Sequence, residues 1–420
     1  MPHVTTVSPS AQAAFVGLRM PLSGAFMVAS CSLIFVFAAA GTPIPLYNVY
    51  RAQDGITNAD LGMVSVGYFV AAAISLLMLG RLSNHLGRRP IAVAALASAM
   101  LSCVFLVSAR GLAALFAARV LQGLACGIAS SGLGAYVVDT APSRPRWLPA
   151  LVTGSAPMIG IPIGSLACGA LAQYGPAPRV LIYVVTATVL MISIALIIMS
   201  PETVLGSRGA LRSLRPRMEV PPGAKRLLVA AGAALVATWS LGGFYQAFGP
   251  SVVAQYLGTP SPLMAAAVFS SFMLLSPVGG PLSGAVSPVS ALRLGMVVFV
   301  LSLGGIVVSM HFGAVVPFIG ATLIAGLANG AASTAAIRGL LARTPLQGRA
   351  GLLSTIYLIS YSGAALPGVV AGRLATTWTL FHIALGYALL GLVGAAIAIH
   401  VSRASVKRDP QELPHGSQDD

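Results

Sequence analysis

The sequence predicts an all-α integral membrane protein whose twelve transmembrane helices form two pseudo-symmetric six-helix bundles, and three observations carry that expectation. First, 57% of the 420 residues are hydrophobic and only 8% are charged, with a mean hydropathy of +0.89. So little polar surface cannot cover a water-soluble core, and the solvent has to be lipid. Second, the chain contains twelve apolar runs of the length a bilayer requires, about 20 residues each. Lipid offers backbone N–H and C=O groups no partner, so these runs read as helices. Third, the second half of the chain repeats the first.

The first run, 24–46, follows Arg19 and contains Ala38-Ala39-Ala40, as a secretory leader would. It is longer than the apolar core of such a leader, about 7–15 residues, and keeping it makes the span count even, with both termini on one side. Runs at 61–80, 90–109, 112–138, 148–171 and 178–200 complete a first bundle over residues 1–200. The longest polar interruption follows. It is a basic, Pro- and Gly-rich cytoplasmic linker over 201–225 that contains Arg208, Arg212, Arg215, Arg217 and Lys225 and is suited to touch anionic lipid. Runs at 226–248, 262–284, 291–310, 315–341, 350–372 and 378–401 make a second bundle over 226–402, and 403–420 is a cytoplasmic tail.

Sliding the second half over the first so that Gly123-Leu124-Ala125 meets Gly326-Leu327-Ala328 keeps further residues in register. Gly127 meets Gly330, Pro142 meets Pro345, Arg146 meets Arg349, Gly160 meets Gly363 and Gly169 meets Gly372. Two homologous six-helix halves place a transport site at their interface near the midplane, opened alternately by rocking.

The formal charge of +15 suggests nucleic acid in a soluble protein, but its distribution says otherwise. With the N-terminus inside, all but Arg51, Arg110, Arg119, Arg179 and Arg373 of the 24 Lys and Arg residues fall on the cytoplasmic side. That is the positive-inside bias, so the basic balance sets orientation and no nucleic-acid partner is expected. Cys31, Cys103, Cys126 and Cys168 lie in separate spans without metal or redox spacing, and read as packing residues. No His-rich cluster or carboxylate pair lies at a common membrane depth, and no G-x-x-x-x-G-K-[ST] loop occurs. An enzyme, a metal site, a cofactor and ATP drive are therefore not expected.

Between spans two and three stands Gly80-Arg81-Leu82-Ser83-Asn84-His85-Leu86-Gly87-Arg88-Arg89. This stretch resembles the loop signature of the major facilitator superfamily, with Asn84 where the family has Asp and His85 where it has a basic residue. The resemblance implies that Arg88 contacts an acidic residue at the cytoplasmic end of the fourth span, a position Asp139 fits. Such a pair can latch helices in one state and release them in another. Asn84 can cap a helix or share hydrogen bonds but carries no charge. The bland reading is that Arg81, Arg88 and Arg89 only enforce topology.

Span four carries Arg119-Val120-Leu121-Gln122-Gly123, similar to the family's R-x-x-Q-G signature. Arg119 is expected about 10 Å below the outer end. A charge there needs a wet cavity or a partner, unless it reaches back to the interface. Gln122 shares its face. In span five, Gly160, Gly164, Ser165, Cys168 and Gly169 resemble an eroded G-x-x-x-G-P-x-x-G-G pattern of proton-coupled exporters, although small residues four apart also serve simple helix packing. Trp239, Tyr245 and Gln246 in span seven, Asn329 in span ten and Tyr357 and Tyr361 in span eleven lie on helices that line the cavity in this family. Binding and packing are both open to them.

None of the carboxylates falls mid-membrane, and a lipophilic cation needs one. A pocket with Arg119 and no acid suits neutral or anionic cargo, and the resemblance to bacterial twelve-helix drug and metabolite proton antiporters implies a monomeric inner-membrane exporter of such a small organic molecule, driven by proton exchange. Uptake by symport or facilitated diffusion, and a nontransporting membrane sensor, are the alternatives.

Overall fold

The computed structural model describes residues 20–108, 110–207, 209–214, 220, 225–345 and 348–406. The linker charges Arg208, Arg215 and Arg217 and tail positions 407–420 lie outside the described residues. Twelve helical spans among the described residues are long and apolar enough to cross a membrane, the eighth only when its two pieces over Pro262–Ala285 are taken together. Their main helices are α1 (Leu22–Gly41), α2 (Asn58–Leu79), α3 (Arg88–Ser108), α4 (Leu112–Thr140), α5 (Leu148–Tyr174), α6 (Leu181–Met199), α7 (Lys225–Gln255), α8 (Pro262–Leu274), α9 (Pro288–His311), α10 (Val315–Leu341), α11 (Arg349–Leu374) and α12 (Leu380–Val406). No strand occurs among the described residues. Leu101, Val104, Ile192, Leu301 and Leu389 stand exposed on the outside, as side chains solvated by lipid should.

Two predicted spans are interrupted, each by proline. The first ends as helix at Gly41, because Pro43 and Pro45 have no N–H to return to the preceding turn. A 3-10 turn at Ile44–Leu46 and a short helix at Tyr47–Asp54 continue it. The eighth breaks at Leu275 and resumes over Ser276–Leu282, which contains Pro277 and Pro281. By contrast α2 starts three residues earlier than expected, since Thr57 and Asp60 form a reciprocal capping box: the Thr57 N–H reaches Asp60 Oδ2 at 2.9 Å and the Asp60 N–H reaches Thr57 Oγ1 at 3.2 Å. Helix α7 runs on through Pro250 to Gln255.

The internal repeat appears as repeated helix packing. A Cβ at Gly123 in α4 would strike the Tyr68 carbonyl of α2, and one at its repeat mate Gly326 in α10 would strike the Phe272 carbonyl of α8. Gly160 of α5 lies against Ile34 and Phe37 of α1, while its mate Gly363 of α11 lies against Val236 of α7. Gly169 meets Pro262, Leu263 and Ala266 of α8, and its mate Gly372 meets Gly62 of α2. The same crossings recur with the halves exchanged, which is pseudo-symmetry at the level of backbone contacts.

The last two crossings join the bundles, and both lie at the end that carries Arg179. More bonds cross there: Asn48 Nδ2 donates to the Pro250 carbonyl at 2.7 Å, Ser251 Oγ to Asn58 Oδ1 at 2.8 Å, and Ser261 Oγ to Gln173 Oε1. At that end Arg179 also forms a bidentate pair with Asp54 (3.0 and 2.7 Å) within the first bundle. That hydrogen-bonded carboxylate holds the guanidinium above its ordinary range. The opposite end carries Arg88 and Asp139.

Candidate functional site

At the Arg88 end, the loop between α2 and α3 is built around one guanidinium. Arg88 Nε donates to Asp139 Oδ2 at 2.7 Å, while its Nη1 reaches Ser83 Oγ and Asn84 Oδ1, each at 2.7 Å. Asp139 also accepts from Thr203 Oγ1 at 3.1 Å. The expected Arg88–Asp139 contact is thus present, and Asn84 takes part through its amide oxygen. All these groups belong to the first bundle and its outgoing chain. The pair fastens helices within one half, not one half to the other.

A carboxylate that the sequence reading passed over completes this cluster. Glu202, just beyond α6, accepts the backbone N–H of Arg88 at 2.7 Å and of Arg89 at 3.0 Å, and so caps the positive end of α3. Gly87 makes room for it: φ is +97°, and a Cβ would stand 2.8 Å from Glu202 Oε2. Arg89 itself donates to the Ile198 carbonyl at the end of α6. His85 Nδ1 pairs with Ser207 Oγ at 2.9 Å, and Gly80, at the end of α2, lies against Ser131 of α4. A sequence signal existed: Glu202 is the first acidic residue after span six, in a linker otherwise rich in cations.

Deeper in the first bundle, Arg119 is 0% exposed. It does not reach back to the interface as the bland reading had it. Its Nη1 donates to the Ala40 carbonyl at 2.7 Å and to Gln122 Oε1 at 2.6 Å, and Gln122 Nε2 donates to the Ala39 carbonyl at 2.9 Å. α1 stops there, and Pro43 withholds the N–H that would return to Ala39; the Ala39 carbonyl accepts the Thr42 N–H at 3.3 Å and the Thr42 hydroxyl at 2.8 Å instead, and Gln122 adds a third donor. The Tyr68 ring covers the guanidinium, 4.3 Å from its carbon to the ring centroid. Arg119 and Gln122 therefore work as one unit, as their spacing indicated.

Beyond Tyr68 a row of rings leads from the first bundle into the second. Tyr68 and Phe69 lie 5.3 Å apart, Phe69 and Tyr361 6.5 Å, and Tyr361 and Trp239 5.2 Å. Of the cavity candidates, Trp239 and Tyr361 stand in this row, and Tyr357 is 40% exposed one turn from Tyr361. Tyr245 lies elsewhere. It is 0% exposed, bonded to Thr322 Oγ1 at 2.6 Å and stacked on Phe272, so the structure makes it a core residue of the second bundle. Asn329 is likewise engaged within that bundle, with Ser276 and Ser333. Gln246 is buried with its Nε2 unpartnered. Phe69, unremarked in the sequence because a phenylalanine in an apolar span carries no polar signal, is the ring that bridges the halves.

The small-residue segment of α5 divides its roles. Gly160 and Gly164 admit α1, with a Cβ at Gly164 landing on the Ala38 carbonyl, while Gly169 admits α8 of the other bundle. Close packing accounts for all three.

Comparison with known proteins agrees with this architecture. The family profile described as Major Facilitator Superfamily matches residues 29–368. The Staphylococcus aureus (strain MRSA252) quinolone resistance protein NorA is 24% identical over 115 residues, 27% of this chain and 30% of that protein. The transporter paaT of Penicillium rubens is 26% identical over 148 residues, 35% of this chain and 26% of its own. These matches span under a third of each curated relative. Among solved structures, a bacterial homologue of the lysosomal transporter Spinster, inward-facing and unoccupied, superposes with TM-score 0.71 at 14% identity, covering 92% of this chain and 98% of its own. The nucleoside transporter NupG, crystallised as a point mutant, gives 0.66 at 12% identity, covering 91% and 99%. With twelve spans, two pseudo-symmetric bundles and a profile match over most of its length, the chain belongs to the major facilitator superfamily of membrane transporters.

Proposed function

We propose that this transporter exports a small neutral or anionic organic molecule by alternating access, in exchange for protons, as a monomer in a bacterial inner membrane. The observation that carries the reading is the buried, carboxylate-free Arg119 beside a row of rings that joins the two bundles. A site of that kind repels cations and is reached only when the bundles rock apart. The positive-inside bias supports a cytoplasmic location for the Arg88 end and both termini. With that orientation, the contacts between the bundles at the Arg179 end support an inward-facing reading. Export is supported by the NorA resemblance, since that relative is named for quinolone resistance.

A second reading is uptake by symport or facilitated diffusion. The α5 glycines serve helix packing, which either direction needs, so that segment gives no support to export over uptake. The deciding experiment is proton movement in liposomes that carry the purified protein, followed with a pH-sensitive dye while metabolites and antibiotics are added. Proton movement opposite to the cargo, at fixed stoichiometry, supports exchange, and proton movement in the same direction as the cargo replaces it with symport. Cargo flux without proton movement replaces it with a facilitator, and binding without flux replaces it with a sensor.

A further inference from the structure

Arg119 poses a problem of charge and of unused donors. It is fully buried, yet its three polar contacts (the Ala40 carbonyl, the Gln122 amide oxygen and the Tyr68 ring) are all uncharged. Every carboxylate among the described residues is engaged elsewhere: Asp54 with Arg179, Asp60 with Thr57, Asp139 with Arg88, and Glu202 with the start of α3. A guanidinium buried without a counter-charge is costly, and the cost falls when an anion joins it.

The unused donors specify which anion. Arg119 Nη1 is consumed by protein, whereas Nε and Nη2 have no partner. Those two N–H groups form the side-on edge of the guanidinium, the fork that matches the two oxygens of a carboxylate. The Tyr47 hydroxyl, also buried, lies beside Ser65 within electrostatic range of Arg119 and can donate to the same group. One fork with no second cation beside it suits a monoanion. Next to it Tyr68 and Phe69 begin the row of rings that continues through Tyr361 to Trp239. Offset and edge-on ring contacts of this kind favour a flat aromatic body over an aliphatic one.

We propose that the site takes aromatic monocarboxylates, with the carboxylate on the Nε–Nη2 edge of Arg119 and the ring seated beside Phe69, Tyr361 and Trp239. This ligand class rests on the transport reading for its meaning as cargo, but not for its binding chemistry.

The test uses the full chain in nanodiscs with Trp147→Phe and Trp378→Phe, which leaves Trp239 as the single tryptophan reporter at the site. Three probes are titrated: 4-hydroxybenzoate, the uncharged 4-hydroxybenzamide, and the non-aromatic cyclohexanecarboxylate. The expected result is binding of 4-hydroxybenzoate about tenfold or more tighter than either of the others, the size of one charge-assisted pair. Arg119→Gln should erase the difference between acid and amide. Equal affinity for acid and amide overturns the proposal, as does no binding of any probe, because water would then be filling the free donors. Should Arg119→Gln fail to fold, the comparison of acid with amide on the protein with Arg119 intact decides alone. Flux of the same probes in liposomes separates the two readings. Acid-selective binding without flux keeps the ligand class and sinks transport, whereas flux with no preference for the acid keeps transport and sinks the ligand class.

Discussion

Glu202 and Arg88 are joined carboxylate to backbone: Glu202 Oε1 accepts the Arg88 N–H at 2.7 Å, across 114 residues of chain. The chain just beyond α6 thereby caps the beginning of α3, and Gly87 is the residue that lets the two approach. A Cβ at that position meets Glu202 Oε2 at 2.8 Å, on a backbone with φ +97°. Gly87→Ala should therefore lose the left-handed conformation and the cap together, about 2 kcal/mol. Glu202→Gln, which keeps an acceptor but loses the charge, should cost about 1 kcal/mol. Thermal unfolding in detergent checks both. Equal stability of all three proteins would remove the cap from the account.

The Arg88–Asp139 pair is partly exposed, 11% and 27% by side chain, so solvent screens it. A double-mutant cycle with Arg88→Gln and Asp139→Asn should return a coupling of about 0.5–1 kcal/mol. Asn84→Asp should raise stability, because the 2.7 Å bond from Arg88 Nη1 would become charge-assisted. Charge reversal by Asp139→Lys should impair cycling, measured as turnover in liposomes. Unchanged kinetics would leave the cluster with a purely structural role.

At the other end, Gly62 and Gly372 bring α2 and α11 together across the halves; a Cβ on Gly62 would stand 2.8 Å from Gly372 Cα. Gly62→Val should wedge the bundles apart there. Overpacking by about 1–3 kcal/mol shifts the balance between closed and open at that end by about fivefold or more. The readout is disulfide formation between Gln173→Cys and Ser261→Cys, whose parent side chains are hydrogen-bonded across the same seam. Undiminished crosslinking in the Gly62→Val protein would show that this crossing does not hold the end closed.

What the sequence made legible follows from what lipid demands. Helix number, the two halves and the Arg119–Gln122 unit rest on hydropathy, spacing and the expense of a buried charge, all local properties. The break of the first span was less visible. Pro43 and Pro45 sit inside an apolar run, and hydropathy does not register a missing N–H. The Glu202 cap depends on chain segments more than a hundred residues apart, which no local window joins. Tyr245 and Tyr361 could not be told apart for a related reason. Both lie on helices apolar on nearly every face, so nothing in the pattern says which face turns toward the other bundle and which toward its own core.

Arg119→Ala removes the donor to the Ala40 carbonyl and to Gln122 Oε1, yet it also removes a buried charge that has no counter-ion, and these effects oppose one another in stability. The folded protein should therefore persist in the membrane with near-normal yield. Transport should not persist: losing a charge-assisted contact to cargo costs about 1.5–3 kcal/mol, hence about tenfold or more in flux at limiting cargo. Arg119→Lys tests geometry separately from charge. An ammonium keeps the positive charge but lacks the two-pronged edge, and it cannot lie flat under Tyr68 at the 4.3 Å seen for the guanidinium. It should fall between wild type and Arg119→Ala. Wild-type flux in Arg119→Lys would mean that charge alone suffices, and wild-type flux in Arg119→Ala would place the cargo elsewhere in the molecule.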